Sequence, residues 1–131
     1  MSDSPLATAH AFVAAINAAD LAALRTLMTD GHTFTDARGQ SFSGAEPMIL
    51  AWQSFFHAFP EYWIHIDHSL VDGRLVALFG QAGGKWRLGD RILPGVWKVA
   101  AAWFAEVESG KIHRWSLFCD TAWATPPPEA S

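Results

Sequence analysis

The sequence is poor in cysteine, tyrosine and charged residues. Among its 131 residues, Cys119 is the only cysteine and Tyr62 the only tyrosine. A single cysteine excludes an intramolecular disulfide bond and fits a reducing compartment. Charged residues make up 17% of the chain, whereas about a quarter is usual. The net charge of −4 also lacks the basic excess that nucleic-acid binding requires, so we expect no nucleic-acid partner.

Long apolar runs and metal-binding motifs are missing as well. No apolar stretch approaches the length of about 20 residues that crosses a bilayer. His10, Asn17 and Asp20 interrupt the alanine-rich N-terminal segment, which therefore does not fit a signal peptide. His65 and His68 fall on opposite faces of a predicted strand, and the sequence has neither a His-Glu-x-x-His motif nor paired cysteines. We expect a cytoplasmic protein without a membrane span, a metal ion or another cofactor.

Aromatic residues are abundant by contrast, with seven Trp and nine Phe. Half of the chain is hydrophobic, which is enough for one domain of this length to bury a substantial core. The aromatic surplus predicts more than a filled core. It indicates an aromatic-lined cavity, a buried interface, or both.

Helical periodicity predicts two short helices and, after a first strand, a third helix. Ser4 and Asp20 are suited to cap the first two helices, and Pro60 ends the third. Asp72-Gly73 and Ser109-Gly110 are two-residue hairpin signals. Helices early in the chain and antiparallel strands later indicate an α+β domain with the helices on one sheet face. The predicted strands span 32–36, 61–71, 74–82, 96–107 and 111–120, with a glycine-rich loop at 83–95.

The C-terminal segment contains three consecutive prolines at 126–128. We find no pattern in it that would pack against a core. We therefore expect a single domain over residues 1–121 and a proline-rich, disordered tail over residues 122–131.

Four short motifs along the chain point to a known superfamily. The motifs are Asn17-x-x-Asp20-Leu21-x-x-Leu24, Phe34-Thr35-Asp36 with Gly44 downstream, Phe59-Pro60-Glu61-Tyr62, and Gly110-Lys111-Ile112 followed by Trp115 and Asp120. Through these motifs, in this order, the chain resembles the nuclear-transport-factor-like superfamily, in particular its SnoaL-like polyketide cyclase branch, over roughly residues 5–121. The resemblance implies a cone-shaped (cystatin-like roll) fold, in which a strongly bent antiparallel sheet wraps around three N-terminal helices and a pocket opens at one end.

The resemblance also implies roles for two carboxylates. Asp36 lies where similar ketosteroid isomerases keep their general base, and Asp120 lies where SnoaL-like cyclases keep their acid/base residue. The isomerases and the related epoxide hydrolases need further residues that this chain lacks, because the strand from Val96 to Val107 contains neither Asp nor Arg. Cyclase-like proton transfer is therefore the chemistry that the resemblance supports.

Asp120, Asp36 and His32 are the candidate catalytic residues. A carboxylate at an apolar pocket can have a raised pKa and abstract a proton beside a carbonyl group. Strand alternation puts His32 on the face of Asp36, where it could orient or protonate the carboxylate, although it could also be a surface histidine. Asp36 could instead bond the backbone of the turn at Arg38, and Asp120 could be a strand-end cap or pair with Lys98.

The expected pocket lies between the third helix and the last two strands. The expected register pairs Val107 with Ile112 and Val99 with Asp120, which turns Asp120 towards the helices. A bulge near Trp115 would reverse that orientation. Six further residues are predicted to contact a planar, apolar ligand: Trp52, Phe56, Gln81, Trp97, Trp103 and Phe118.

Two functions fit these residues. In the first, the protein is a SnoaL-like small-molecule enzyme that applies general acid/base chemistry, of the cyclase or isomerase type, to an apolar, carbonyl-bearing substrate. In the second, the same pocket binds a hydrophobic small ligand without turnover. The two are separated by whether the carboxylates point into the pocket.

The outer face of the sheet predicts a homodimer. In the expected register this face carries Phe104, Trp115 and Leu117, and residues 99–105 are apolar throughout, whereas a solvated face should alternate apolar and polar residues. A contiguous apolar patch usually marks an interaction site, and two-fold pairing with a second copy would cover it. The C-terminal tail, anchored by Trp123, is the other candidate cover.

Overall fold

A computed structural model describes residues 4–128 as three helices, eight strands and a short 3₁₀ turn at Ala122–Ala124. No helix in this part of the chain is long and apolar enough to cross a membrane. The helices are α1 (Pro5–Asn17), α2 (Leu21–Thr26) and α3 (Ala45–Ala58). The strands are β1 (Met28–Thr35), β2 (Ser41–Ser43), β3 (Trp63–Asp72), β4 (Leu75–Gly84), β5 (Arg87–Leu88), β6 (Arg91–Ile92), β7 (Trp97–Glu108) and β8 (Lys111–Cys119).

The first two helices begin at the predicted caps. Ser4 Oγ accepts a hydrogen bond from the backbone N–H of Ala7 at 3.1 Å, and Asp20 Oδ1 accepts one from Ala23 at 3.0 Å. Each bond satisfies a donor that the first turn of a helix leaves unpaired. Asn17 then ties the helical layer to the sheet, because its side chain donates to the carbonyl of Ile64 and accepts from the N–H of the same residue.

Six strands form one open, curved sheet in the order β2-β1-β8-β7-β4-β3. The helices pack on one face of this sheet, so the predicted α+β class with three helices is confirmed. The expectation of a wholly antiparallel sheet is wrong for one pair, because β1 and β8 run parallel. No tight turn joins these two strands, so no local signal sets their relative direction. β5 and β6 form a separate hairpin inside the segment predicted to be a loop.

A β-bulge at His113 changes the orientation of the second half of β8. Val107 pairs with Ile112 as predicted, but the register then shifts by one residue. One inserted residue turns every later side chain to the opposite face. Trp115 is consequently buried on the helix side, whereas Phe118 is 59% exposed on the outer face. The predicted inward orientation of Phe118 is wrong for this reason.

The β3–β4 hairpin turns later than predicted. Asp72 pairs with Leu75, and Gly73 in the turn has a φ of +61°, which glycine adopts at little cost. Leu78 is buried on the helix side of β4. Gln81 lies three residues further and so points to the opposite, outer face, which overturns the prediction that it faces the helices.

The segment after Thr121 packs on the domain, in contrast to the predicted tail. The indole of Trp123 stacks on Trp97, with ring centroids 4.0 Å apart and an interplanar angle of 14°. The carbonyl oxygen of Trp123 accepts a hydrogen bond from Nε1 of Trp86 at 2.6 Å. Burial of aromatic surface holds this segment in place without a long helix or strand. Residues 129–131 of the predicted tail lie outside the described residues.

His32 lies in the core and is fully buried, so the surface position considered for it is wrong. Its Nδ1 is 2.9 Å from the carbonyl oxygen of Ile112. A carbonyl only accepts, so Nδ1 carries the proton, and Nε2 is left without a partner among the described residues. Burial lowers the pKa of His32 below its ordinary value; the hydrogen bond to Ile112 opposes this shift and the nearby His113 adds to it.

We expect this buried histidine to make the fold sensitive to acid. Below about pH 6.5 the unfolded chain takes up a proton that the folded chain resists at His32, so stability falls as the pH falls until the lowered folded-state pKa is reached. For this one proton the loss is at most about 1.4 kcal/mol per pH unit. Urea unfolding of the native protein and of His32→Gln, from about pH 7.5 to about pH 5, measures it.

The variant should lack this component of the pH dependence. His57→Gln, which alters an exposed histidine on α3, is the matched control and should behave like the native protein. An equal loss of stability in the native protein and in His32→Gln would contradict the assignment.

Candidate functional site

A cavity of about 160 Å³ lies between α3 and the helix-side face of the sheet. Its wall contains no carboxylate, histidine, lysine or arginine side chain among the described residues, and seven of its ten residues are aromatic. The wall is therefore suited to an apolar ligand. The lining residues are Phe34, Phe42, Met48, Ala51, Trp52, Phe55, Tyr62, Trp103, Trp115 and Leu117.

One aromatic stripe of α3 forms the helical side of the cavity. Met48, Trp52 and Phe55 lie at the spacing that places residues on one helix face. The ring of Trp52 meets the edge of Phe55 at 5.7 Å and 82°. Phe56 stacks on Trp52 at 5.3 Å and 30°, but it is not part of the wall. Of the two predicted ligand contacts on this helix, Trp52 lies in the wall and Phe56 supports its ring.

The bulge at His113 provides the opposite side of the cavity. It turns Trp115 and Leu117 towards the helices, where Trp115 pairs with Phe34 of β1 and Leu117 pairs with Trp103 of β7. Trp103 lies where the sequence predicted it. The inward positions of Trp115 and Leu117 were missed. The strand register predicted from the sequence contained no bulge and therefore placed both residues on the outer face.

Among the described residues of the wall, only Tyr62 has a hydroxyl group. Its ring meets the edge of Phe55 at 4.7 Å and 87°, and it lies 5.9 Å from the ring of Trp97. Burial raises the pKa of the Tyr62 hydroxyl well above its ordinary value, and the neighbouring Cys119 adds to the shift. The hydroxyl therefore stays protonated at physiological pH. It can donate a hydrogen bond, but it does not serve as a base.

A surface groove of about 300 Å³ adjoins the cavity. The two share Phe34, Phe55 and Leu117 as lining residues, so these side chains stand between them. We call this groove the mouth of the cavity. Its further lining residues include the polar or charged Asp36, Arg38 and Thr121, together with Trp123.

Asp36 lies in the mouth and is held by the turn that follows β1. Its Oδ1 accepts hydrogen bonds from the backbone N–H groups of Arg38, at 2.9 Å, and Gln40, at 3.0 Å. This is the Asx-turn arrangement that was the alternative to a catalytic role. The second oxygen, Oδ2, makes no hydrogen bond within residues 4–128. Asp36 is therefore both a turn residue and the carboxylate beside the cavity.

Asp120 is exposed and does not line the cavity or its mouth. Its Oδ1 accepts a hydrogen bond from the backbone N–H of Ala122 at 2.7 Å, so it is the strand-end cap that was considered as the alternative. The predicted register, which turned Asp120 towards α3, is wrong because of the bulge. His32, Asp36 and Asp120 thus occupy three separate places: the core, the mouth and the surface.

The remaining predicted ligand contacts do not meet in the cavity. Gln81 and Phe118 are on the outer sheet face, for the reasons of register given above. Trp97 is buried, but it packs between Tyr62 and Trp123 outside the wall. Within residues 4–128, no three His, Cys, Asp or Glu side chains are grouped closely enough to hold a metal ion.

Several lining residues were missed by the sequence reasoning. Phe42 belongs to β2, a three-residue strand inside a segment that reads as a turn. Tyr62 carried no signal beyond its place after the Phe59-Pro60 motif. Met48 and Phe55 were visible in the apolar stripe of the third helix, and that periodicity could have identified them as wall residues alongside Trp52.

Known structures share this fold. A candidate SnoaL-like polyketide cyclase from Jannaschia sp. CCS1 is 21% identical, with a TM-score of 0.79 and coverage of 94% of this chain and 93% of that chain. IdmH, a candidate polyketide cyclase from Streptomyces antibioticus, is 20% identical, with a TM-score of 0.78 and coverage of 91% and 94%. A protein with a ketosteroid isomerase-like fold from Catenulispora acidiphila, in complex with trimethylamine, is 20% identical, with a TM-score of 0.76 and coverage of 88% and 86%.

The similarity to these structures shows the fold, and a match to a family model shows the family. No curated protein sequence matches the chain. The model of the SnoaL-like domain matches residues 9–115, which run from α1 into β8 and include both sides of the cavity. The chain therefore belongs to the SnoaL-like domain family.

Proposed function

We propose that the protein binds an apolar, planar small molecule in the aromatic cavity. The observation that carries the proposal is the wall of ten side chains, of which seven are aromatic and none is charged. Ligand sites are typically concave and mostly apolar, with few polar groups that orient the ligand. Structures of similar fold include candidate polyketide cyclases, and this favours a small carbonyl-bearing molecule as the ligand.

The size of the cavity suits one aromatic ring. An apolar cavity of about 150 Å³ is large enough to bind benzene, and this one measures about 160 Å³. A substituent on the ring would extend into the mouth, next to Asp36. An aryl ketone with its ring in the cavity would reach the mouth with its carbonyl group by passing between Phe34, Phe55 and Leu117.

We expect acetophenone to bind and a filled cavity to exclude it. Ala51 lines the cavity, so Ala51→Phe should put a ring where the ligand ring would lie and weaken binding at least about tenfold. An NMR titration with acetophenone measures the dissociation constant. Gln53→Phe adds the same ring at an exposed site of α3 and should bind as the native protein does. Equal affinities in the two variants would contradict binding in this cavity.

A second proposal is that Asp36 acts as a base on the bound molecule. It is supported by the position of the carboxylate in the mouth, with Oδ1 fixed by two N–H groups and Oδ2 unpaired within residues 4–128. In acetophenone, Oδ2 would remove a proton from the methyl carbon beside the carbonyl group. The electron pair of that C–H bond would pass to the carbonyl oxygen as an enolate, and reprotonation from water would complete the exchange.

Exchange of the methyl protons of acetophenone in D₂O tests this step. The native protein should accelerate the exchange, and Asp36→Asn should reduce the rate by about 10²- to 10⁴-fold with little change in affinity. Asparagine keeps an oxygen that accepts the turn hydrogen bonds, so the turn should survive. Asp90→Asn, in the exposed β5–β6 turn, is the control. Exchange at the native rate in Asp36→Asn would leave binding as the function.

We also propose that the outer sheet face pairs with a second copy of the chain. The bulge changes the membership of the predicted patch, since Trp115 and Leu117 now face inward. The face remains apolar, because Phe118 is 59% exposed and Phe79 is 39% exposed beside the half-buried Phe104. Trp123 packs on Trp97, whose side chain lies on the helix side of the sheet, so the C-terminal segment as far as residue 128 leaves this patch uncovered.

Light scattering at micromolar concentration tests the dimer. The native protein should have about twice the mass of the 14.3 kDa chain, and Phe118→Lys should be monomeric because the lysine charge would be buried in the interface. Leu50→Lys changes an exposed leucine of α3 and should leave the mass unchanged. A native mass of 14.3 kDa would overturn the proposal.

A further inference from the structure

We infer that Trp123 determines the largest ligand that the cavity accepts, an inference that rests on the proposed binding function. Trp123 lies outside the cavity wall, in the segment that follows β8. Its ring packs against Phe55, which does line the cavity, at 6.5 Å and 81°. Trp123 is thus one aromatic layer away from the ligand and limits how far Phe55 can move.

Trp123 forms a partition between two surface grooves. It lines the mouth, which adjoins the cavity, and it also lines a second surface groove on the side of Trp97. No other described residue lines both of these grooves. Removing the indole would leave space beside Phe55, and the cavity could extend into it.

The partition is held by a small number of contacts. Trp123 stacks on Trp97 and meets the edge of Phe59 at 5.1 Å. Its carbonyl oxygen accepts a hydrogen bond from Nε1 of Trp86, and Oδ1 of Asp120 accepts one from the N–H of Ala122, the first residue of the 3₁₀ turn. None of these partners lines the cavity wall, so a substitution at Trp123 changes no wall residue and acts on the wall only through Phe55.

The size of the cavity shows what Trp123 excludes. With the indole in place the cavity is sufficient for one ring, as argued above. A second or third fused ring would have to displace Phe55 against Trp123. Replacing Trp123 by alanine removes that obstacle, so the variant should accept larger ring systems while the one-ring ligand is held by the same wall.

A series of aryl methyl ketones tests the inference: acetophenone, 2-acetylnaphthalene and 2-acetylanthracene. The native protein should bind acetophenone most tightly. Trp123→Ala should bind the two larger ketones at least about tenfold more tightly than the native protein does, with acetophenone changed less than about threefold. Trp63→Ala removes a tryptophan from the outer face, where it lies over Gly83, and should keep the native size order.

Two further variants keep the result interpretable if Trp123→Ala does not fold. Trp123→Leu retains apolar bulk in the core and should relax the size limit in part. Trp86→Phe keeps a ring but removes the N–H that donates to Trp123, so it should loosen the turn and shift the size order in the same direction. Thermal unfolding of each variant establishes which ones are folded before the titrations.

The possible outcomes separate this inference from the proposed function. Tighter binding of the larger ketones by the folded Trp123 variants, including the case in which the native protein binds none of them, supports it. Binding of acetophenone with an unchanged size order in those variants overturns this inference alone. Failure of the native protein and every variant to bind any of the three ketones overturns both this inference and the proposed function.

Discussion

The position of the bulge in β8 is the constraint on which the cavity depends. Ile112, just before the bulge, is fixed from two sides: its N–H donates to the carbonyl oxygen of Leu27, and its own carbonyl accepts from His32. The extra residue, His113, lies with its Nδ1 2.9 Å from Oγ1 of Thr29. The end of α2 and the start of β1 therefore determine where the extra residue falls. This in turn decides which side chains of β8 face the helices.

The cavity that results has an apolar wall, and the candidate carboxylates lie outside it. An ionised carboxylate inside a wall without charged partners would carry a large desolvation cost. The two carboxylates that the family resemblance pointed to lie outside that wall, and each is bonded to backbone N–H groups. Asp36 is the one that borders the mouth. In the proposed function, proton transfer by Asp36 therefore takes place at the mouth, on a molecule whose apolar part lies deeper.

Part of the site comes from the chain beyond the matched family domain, which ends at Trp115. Leu117 completes the wall, and Trp123 packs behind Phe55. The three prolines at 126–128 indicated a segment with no means of packing, but Trp123, just before them, packs on the domain. The stacking of one indole on Trp97 and the hydrogen bond from Trp86 hold this short turn, because aromatic burial needs no helix or strand.

The sequence alone determined the features that depend on neighbouring residues. Ser4 and Asp20 cap the helices they were predicted to cap, and the aromatic spacing of the third helix placed Trp52 towards the sheet. Tertiary structure decided the rest: the bulge at His113, the parallel pairing of β1 with β8, and the docking of Trp123. A helix cap or an apolar helical stripe depends on interactions between residues close in sequence. The face to which the β8 side chains point depends instead on a hydrogen bond between residues 80 positions apart. No local pattern encodes that bond, and the wall of the cavity follows from it.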